Sequence, residues 1–86
     1  MYLGITSVSP LDNYMLCLTF ENGEQRWFDM KPFLNHGVFR TLKHPDTFKT
    51  VRVYRDTVAW DNEIDLDPEI LYPNSYPPSH KAGSRQ

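Results

Sequence analysis

The sequence has little of several features that would narrow its function. It contains a single cysteine, Cys17, so no disulfide can form within the chain. No apolar run approaches the roughly 18 residues that a membrane-spanning helix needs, and no signal-peptide pattern is present. A cytoplasmic location is therefore expected. The length of 86 residues is that of one small domain, which buries roughly 60% of its unfolded surface.

The common motifs of enzyme and metal sites are also missing. The sequence has no HExxH, no CxxC and no glycine-rich phosphate loop, and its three histidines lack the spacing of metal ligands. One partial match is to a calcium-binding loop, whose ligand positions one, three and five correspond to Asp61, Glu63 and Asp65. The rest of that loop fails, because Leu66 stands where glycine is required and Tyr72 where glutamate is required. We therefore predict no catalytic residue, no metal site and no cofactor, and expect a protein that is not an enzyme.

The best-defined pattern in the sequence predicts a β-hairpin over residues 14–30. Residues 14–20 alternate between core-forming and other side chains, which is the period of a strand with one buried face. Asn22-Gly23 follows, and both residues tolerate the positive φ angles of a hairpin turn. Residues 24–30 then form a second strand-compatible run that is rich in aromatic side chains.

Two registers are open for this hairpin. A two-residue turn would set Cys17 opposite Phe28, whereas a three-residue loop with Gly23 in the left-handed conformation would set Leu16 opposite Phe28. We favour the three-residue loop, because a slip by one residue would move Phe28 away from the other large apolar residues. One face then contains Leu16, Leu18, Phe20, Phe28 and Met30. The other contains Met15, Cys17, Thr19, Gln25 and Trp27, which is unusually apolar for a solvent face.

The remaining elements are short and predict an α+β domain. A first strand lies in residues 1–9, and a second hairpin around Arg55-Asp56 sets Val53 opposite Val58. Between the hairpins are helical turns that are too short to be stable alone, one of them capped by Asp46. The predicted fold is a small antiparallel sheet of two β-hairpins plus an N-terminal strand, with short helical turns packed on one face.

The C-terminal part of the chain ends the predicted domain. Asp67-Pro68-Glu69 has the pattern of a helix start, with Asp67 as the cap and Pro68 at the first position. We predict a single domain over residues 1–72 and a flexible tail over residues 73–86, which contain three prolines and no residues for a core. The alternative for the tail is that residues 72–76 lie along the outer face of the first hairpin and cover Trp27 and Met15.

Charge is unevenly distributed along the second half of the chain. Residues 40–55 contain five basic residues and one acidic residue, and residues 56–69 contain six acidic residues and no basic one. Such neighbouring segments can pair or form separate surface patches. The basic residues are candidate contacts to nucleic-acid phosphates, although the acidic segment and the net charge of −2 oppose that interpretation. These residues are Arg40, Lys43, Lys49, Arg52 and Arg55.

Several short motifs follow one another in a definite order. They are Val8-Ser9-Pro10-Leu11, Asn22-Gly23-Glu24, Phe28-Asp29-Met30, Gly37-Val38-Phe39, Val58-Ala59-Trp60-Asp61 and Ile64-Asp65-Leu66-Asp67-Pro68-Glu69-Ile70-Leu71-Tyr72. This order resembles the bacterial family called domain of unknown function 2442, over about residues 5–72. The resemblance implies a small α+β domain without established catalytic residues. It also implies that some members lie beside a small partner gene, in an arrangement like that of a toxin and its antitoxin.

Together these observations favour a small, non-enzymatic protein-binding or regulatory module, of the antitoxin-like kind that the resemblance implies. A contiguous exposed apolar patch usually marks an interaction site, and the outer face of the first hairpin predicts one. Its candidate contact residues are Met15, Cys17 and Trp27, with Tyr76 from the tail. The expected partner is another protein or a second copy of the chain, and no membrane contact is expected. The alternatives are a homodimeric structural domain and a weak nucleic-acid binder through residues 40–55.

Overall fold

Two antiparallel sheets and several short helical turns make up the fold in the computed structural model, which describes residues 2–61 and 63–78. The larger sheet has the order β1 (Ile5–Leu11), β2 (Met15–Phe20) and β3 (Gln25–Asp29). The smaller sheet pairs β4 (Arg52–Tyr54) with β5 (Thr57–Ala59). The α+β class is confirmed, and the strands are divided between two sheets.

The β2–β3 hairpin has the register of the three-residue loop. Leu16 lies opposite Phe28, and Gly23 has a φ of +89°. The Gly23 N–H donates to the Phe20 carbonyl at 2.9 Å, and the Phe20 N–H donates to the Glu24 carbonyl at 2.8 Å. Glycine adopts such a φ at no steric cost, so Gly23 fixes the turn and, through it, the buried face of both strands.

β1 contains an irregularity that allows residues of opposite parity to pack against the same core. Ile5 and Val8 have opposite parity, so a regular strand would direct them to opposite faces. The pairing with β2 shifts by one residue between Ile5 and Ser7, which is a β-bulge. As a result Ile5 is buried and Val8 packs against the same core. The strand runs to Leu11, two residues further than the sequence predicted.

The two sheets enclose one core. Val53 lies opposite Val58, as predicted. Trp60 follows β5 and is fully buried, and its indole N–H donates to the Phe48 carbonyl at 3.0 Å, so its polar atom is satisfied. The core residues are Ile5, Leu16, Leu18, Phe20, Phe28, Met30, Leu34, Leu42, Phe48, Val58, Trp60, Ile64, Leu66 and Leu71.

The helical turns close the remaining side of the core. They are 3₁₀ turns at Asp12–Tyr14, Lys31–Phe33, Gly37–Lys43 and Pro68–Ile70, and the α-helical turn α1 (Pro45–Phe48). Asp67 caps the last of them, since its carboxylate accepts from the Glu69 N–H at 2.9 Å. Asp46 does not cap α1 as predicted. Pro45 is pre-set for the first helical position, so His44 is the N-cap residue and Asp46 falls inside the turn.

The chain continues past residue 72 along the outer edge of β3. The Trp27 N–H donates to the Tyr76 carbonyl at 2.7 Å, and the Tyr76 N–H donates to the Trp27 carbonyl at 3.0 Å. We call residues 73–78 the strap. The folded chain therefore extends at least to Tyr76, four residues beyond the predicted boundary, and the position of Tyr76 agrees with the alternative given for the tail. Residues 79–86 of the predicted tail lie outside the described residues. Within the described chain, no helix combines the length and apolar character needed to cross a bilayer.

Candidate protein-interaction site

The side of the larger sheet that faces away from the core is the candidate site, and we call it the outer face. The strand registers place Ser9, Cys17, Trp27 and Tyr76 side by side across β1, β2, β3 and the strap. Directly opposite residues of antiparallel strands project to the same face. These four side chains therefore form one continuous row across the sheet.

The predicted contact residues differ in how much of them reaches the surface. Cys17, Trp27 and Tyr76 are half-buried, and none of them belongs to the core cluster. Met15 is only 8% exposed, because its own chain covers it: the Lys31 ammonium lies 3.7 Å from its sulfur and the Tyr76 hydroxyl 3.9 Å. Met15 is therefore a covered part of the outer face, and the half-buried Trp27 and Tyr76 provide the accessible apolar surface there.

The strap is fastened at the other side of β3 by four residues that we call the latch: Glu24, Arg26, Tyr72 and Ser75. The Arg26 guanidinium donates to the Ser75 hydroxyl and to the Ser75 carbonyl, both at 2.7 Å. It also lies 4.5 Å from the centre of the Tyr72 ring and 3.4 Å from the Glu24 carboxylate. The Tyr72 hydroxyl donates to Glu24 at 2.5 Å. The latch thus holds the strap by its first residues.

The latch could not be found from the sequence, because it joins residues that lie 48 or 49 positions apart. One signal was available. Arg26 lies opposite Leu18, so it has the same parity as Phe28 and projects from the core side of the hairpin. A cation at such a position needs partners close by, and alternation alone does not say where in the chain they are.

Electrostatics favour the protonation states that the latch requires. The hydrogen bond from Tyr72, helped by the Asn22 amide, lowers the pKa of the Glu24 carboxyl. The same bond raises the pKa of the Tyr72 hydroxyl, because the neighbouring carboxylate disfavours its ionisation. Near neutral pH Glu24 is therefore an ionised acceptor and Tyr72 a neutral donor. On the outer face, burial and then the Asp29 carboxylate raise the pKa of Tyr76.

The basic residues proposed as nucleic-acid contacts are exposed but come from separate elements. Arg40 and Lys43 belong to the Gly37–Lys43 turn, and Lys49 follows α1. Arg52 lies on β4 and pairs with Asp61 at 3.3 Å, so the basic and acidic segments meet there. Arg55 lies 5.3 Å from the centre of the Tyr54 ring. The Arg40 guanidinium donates to the Asn35 carbonyl at 3.5 Å, so three of the five cations are already engaged within the domain.

The acidic residues of the segment 56–69 have local partners or are exposed. Among residues 2–61 and 63–78, no three side chains of His, Cys, Asp or Glu are grouped so that they could hold an ion. Asp61 pairs with Arg52, Asp67 caps a helical turn, and the backbone of Asp65 bridges Ala59. The carboxylates therefore serve local structure or remain exposed.

The fold and this site define a small α+β domain whose larger sheet carries an extended segment at its edge. A family model described as "Protein of unknown function (DUF2442)" matches residues 5–77, so the chain belongs to that family. The match includes most of the strap, which the sequence resemblance had left out. No curated protein and no solved structure matches the chain.

Proposed function

We propose that the chain is a non-enzymatic protein-binding module with a regulatory role, which acts as the antitoxin-like member of a two-gene pair. The observation that carries the binding function is the position of Trp27. This large aromatic side chain is half-buried outside the core, between Cys17 on β2 and Tyr76 on the strap. Tryptophan and tyrosine are the residues that most often dominate binding energy at protein interfaces. The pairing with a second gene rests on the resemblance to the family.

The surroundings of Trp27 suit a protein surface. Ser9 and Thr19 on the same side of the sheet are small, so a partner can approach the backbone closely. The charged groups lie toward one end, where the Lys31 ammonium pairs with Asp29 at 3.0 Å. This arrangement has the apolar centre and polar rim of an interface. A reduced Cys17 thiol agrees with a cytoplasmic location, which we include in the proposal.

The test is recovery of the tagged full-length chain from its native cells, with identification of any protein that copurifies. Trp27→Glu places a charge in the centre of the proposed interface. Tyr54→Glu is the matched control, because it makes the same kind of change at a 44% exposed aromatic residue on the smaller sheet. We expect one small protein to copurify with the wild type and with Tyr54→Glu, and to be lost from Trp27→Glu.

Two results would contradict the binding proposal. One is the recovery of the same proteins with Trp27→Glu as with the wild type. The other is a wild-type chain that recovers no protein and stays monomeric when purified. Thermal unfolding of both variants checks that any loss is not a loss of fold.

Nucleic-acid binding is the second candidate, because Arg40, Lys43 and Lys49 are exposed. Titration of labelled RNA and DNA at low and moderate salt tests it, with Arg40→Ala and Lys43→Ala combined as the variant. Binding through phosphates must weaken as salt rises. If no salt-dependent binding is found, this candidate is rejected.

A further inference from the structure

The outer edge of β3 presents backbone groups that the strap uses only in part. Trp27 directs both its N–H and its carbonyl to Tyr76. The Glu24 carbonyl and the Met30 N–H instead bond toward the β2 side, to Phe20 and Tyr14. Since successive residues of a strand alternate in direction, Gln25, Trp27 and Asp29 all face outward. The strap pairs with the middle one alone.

The sequence of the strap prevents this pairing from extending. In the register set by Trp27 and Tyr76, Pro78 would lie opposite Gln25 and Asn74 opposite Asp29. Proline has no N–H to donate, and the Asn74 N–H is already bonded to the Ile70 carbonyl at 3.3 Å. In the described part of the chain, the outward backbone groups of Gln25 and Asp29 therefore have no backbone partner. The strap covers the centre of the edge and leaves both ends open.

The three outward residues make the edge of β3 complementary to the same edge of a second copy of the chain. Gln25 and Asp29 stand two positions to either side of Trp27, so two antiparallel copies of β3 that meet at Trp27 set each Gln25 opposite the Asp29 of the second copy. A glutamine amide donates to a carboxylate. The two Trp27 rings would lie side by side, and opposed aromatic residues are a favourable cross-strand pair. A two-fold interface requires this kind of self-complementarity.

We propose that the edge of β3 is a self-association site, where a second copy of this chain adds its own β3 as an antiparallel strand once Tyr76 has left the edge. Each strap gives up one pair of backbone hydrogen bonds, and the two copies together form three such pairs. The latch must open as well, because in this register Ser75 lies beside Phe28 at the edge that the second strand takes, so the Arg26 bonds to Ser75 break when the strap leaves. The strap therefore gates the interface, and the two copies join into one six-stranded sheet. This site goes beyond the proposed function, since its occupant is a second copy and its contacts are those of a strand edge.

The first part of the test opens the gate in the full-length chain. Tyr76→Pro removes the N–H that bonds to the Trp27 carbonyl, so the strap loses one of its two backbone hydrogen bonds to β3. We expect this variant to dimerise more strongly than the wild type by on the order of tenfold, measured by sedimentation equilibrium over a dilution series. Tyr76→Gly keeps the N–H but removes the ring whose hydroxyl reaches the Met15 sulfur, so it weakens the hold of the strap and is the second variant in case Tyr76→Pro does not fold. Wild-type-like or weaker association of the folded variants would overturn the gating.

The second part of the test uses charged substitutions at Gln25 to determine which residues of the two β3 strands lie opposite each other. Gln25 is exposed and makes no side-chain hydrogen bond within the described chain, so changing it leaves the monomer intact. In the opened variant, Gln25→Lys places a cation opposite the Asp29 of the second copy, and Gln25→Glu places an anion there. We expect the lysine variant to bind roughly tenfold more tightly than the glutamate variant, because the pair occurs twice by symmetry. Adding Asp29→Lys to Gln25→Glu should restore the dimer.

Equal association of the lysine and glutamate variants would overturn the proposed interface. So would their order reversed, or no dimer in any folded variant at the highest concentration reached. The outcome is distinguishable from failure of the proposed function, because capture of the partner by the Trp27→Glu and Tyr54→Glu pair is measured separately from self-association.

Discussion

Among the single residues, Arg26 shows how one charged side chain can position a distant segment. Its guanidinium is planar and carries several fixed donors, so it can bond to both oxygens of Ser75 while its face rests on the Tyr72 ring. A lysine could not make both contacts at once. The strap therefore begins at a defined place on β3, and Tyr76 is brought to Trp27.

The bond between Tyr72 and Glu24 should make the stability of the domain depend on pH. The folded pKa of Glu24 is lowered, so its contribution is present above the usual carboxyl range and is lost as pH falls through the folded pKa. The folded pKa of Tyr72 is raised, so its contribution is present below the usual phenol range and is lost as pH rises through the folded pKa. Tyr72→Phe keeps the ring under Arg26 and should flatten both flanks of the profile.

The check is the free energy of unfolding in denaturant as a function of pH, for the wild type and for Tyr72→Phe. Tyr54→Phe is the control, because the Tyr54 hydroxyl makes no hydrogen bond within the described residues. A Tyr72→Phe profile that runs parallel to that of the wild type would show that the bond does not contribute in solution.

Leu16 is the residue where loss of volume should cost most clearly. It is fully buried on β2 and lies opposite Phe28. Leu16→Ala should lower the free energy of unfolding by about 2–5 kcal/mol, since it leaves a cavity that the sheet can only partly close. Val38→Ala removes apolar volume at a position that is 65% exposed, and should change stability by less than about 0.5 kcal/mol. Denaturant unfolding of both variants measures the difference, and similar values would contradict the assignment of the core.

Among the elements, the turn of the first hairpin depends on the left-handed conformation of Gly23. Any side chain at a φ of +89° meets steric repulsion, so Gly23→Ala should cost about 1–2 kcal/mol. Gly23→Asn should recover part of that loss, because asparagine tolerates positive φ better than alanine does. Denaturant unfolding measures both variants. If alanine were as stable as asparagine, the loop in solution would not be the one described.

The hairpins could be predicted from the sequence because their information is local. Alternation, a turn with Asn22-Gly23, and the need to keep large side chains on one face together select one register, as Leu16 opposite Phe28 shows. The left-handed conformation of Tyr14, with a φ of 60°, has no such signal, since a bulky side chain rarely adopts it. The bulge in β1 also has little signal in the sequence. Only the opposite parity of Ile5 and Val8, two apolar residues of one strand, indicates it.

In the candidate site, too, residues placed by local alternation could be predicted, and residues placed by contacts with distant segments were harder to predict. Cys17 and Trp27 follow from alternation within the hairpin, so their place on the outer face could be predicted. The burial of Met15 followed only from the alternative in which residues 72–76 cover it; Tyr76 does so, and Lys31 adds a contact that the sequence did not indicate. The latch comes from contacts between distant segments, which neither alternation nor composition locates.

In the molecule as a whole, the two sheets depend on each other. The Ile5 N–H of β1 donates to the Asp56 carbonyl in the β4–β5 turn at 3.3 Å. Buried residues of both sheets also belong to the same cluster, with Leu18 on β2 and Val58 on β5 both fully buried. A two-stranded sheet on its own is marginal in water, so β4 and β5 should be ordered only while the larger sheet is folded.

This dependence predicts a single cooperative unfolding transition, and the two tryptophans allow it to be tested. Trp27 reports on the larger sheet, whereas Trp60 is fully buried beside the smaller one. In Trp27→Phe all tryptophan fluorescence comes from Trp60, and its denaturation curve should coincide with that of far-ultraviolet circular dichroism, which follows the whole backbone. Trp60→Phe gives the reciprocal measurement with a lower midpoint, because it removes the buried hydrogen bond from the indole N–H to the Phe48 carbonyl. If the fluorescence of Trp60 changed well before the dichroism, the smaller sheet would unfold on its own, and the shared core would not be what holds β4 and β5 in place.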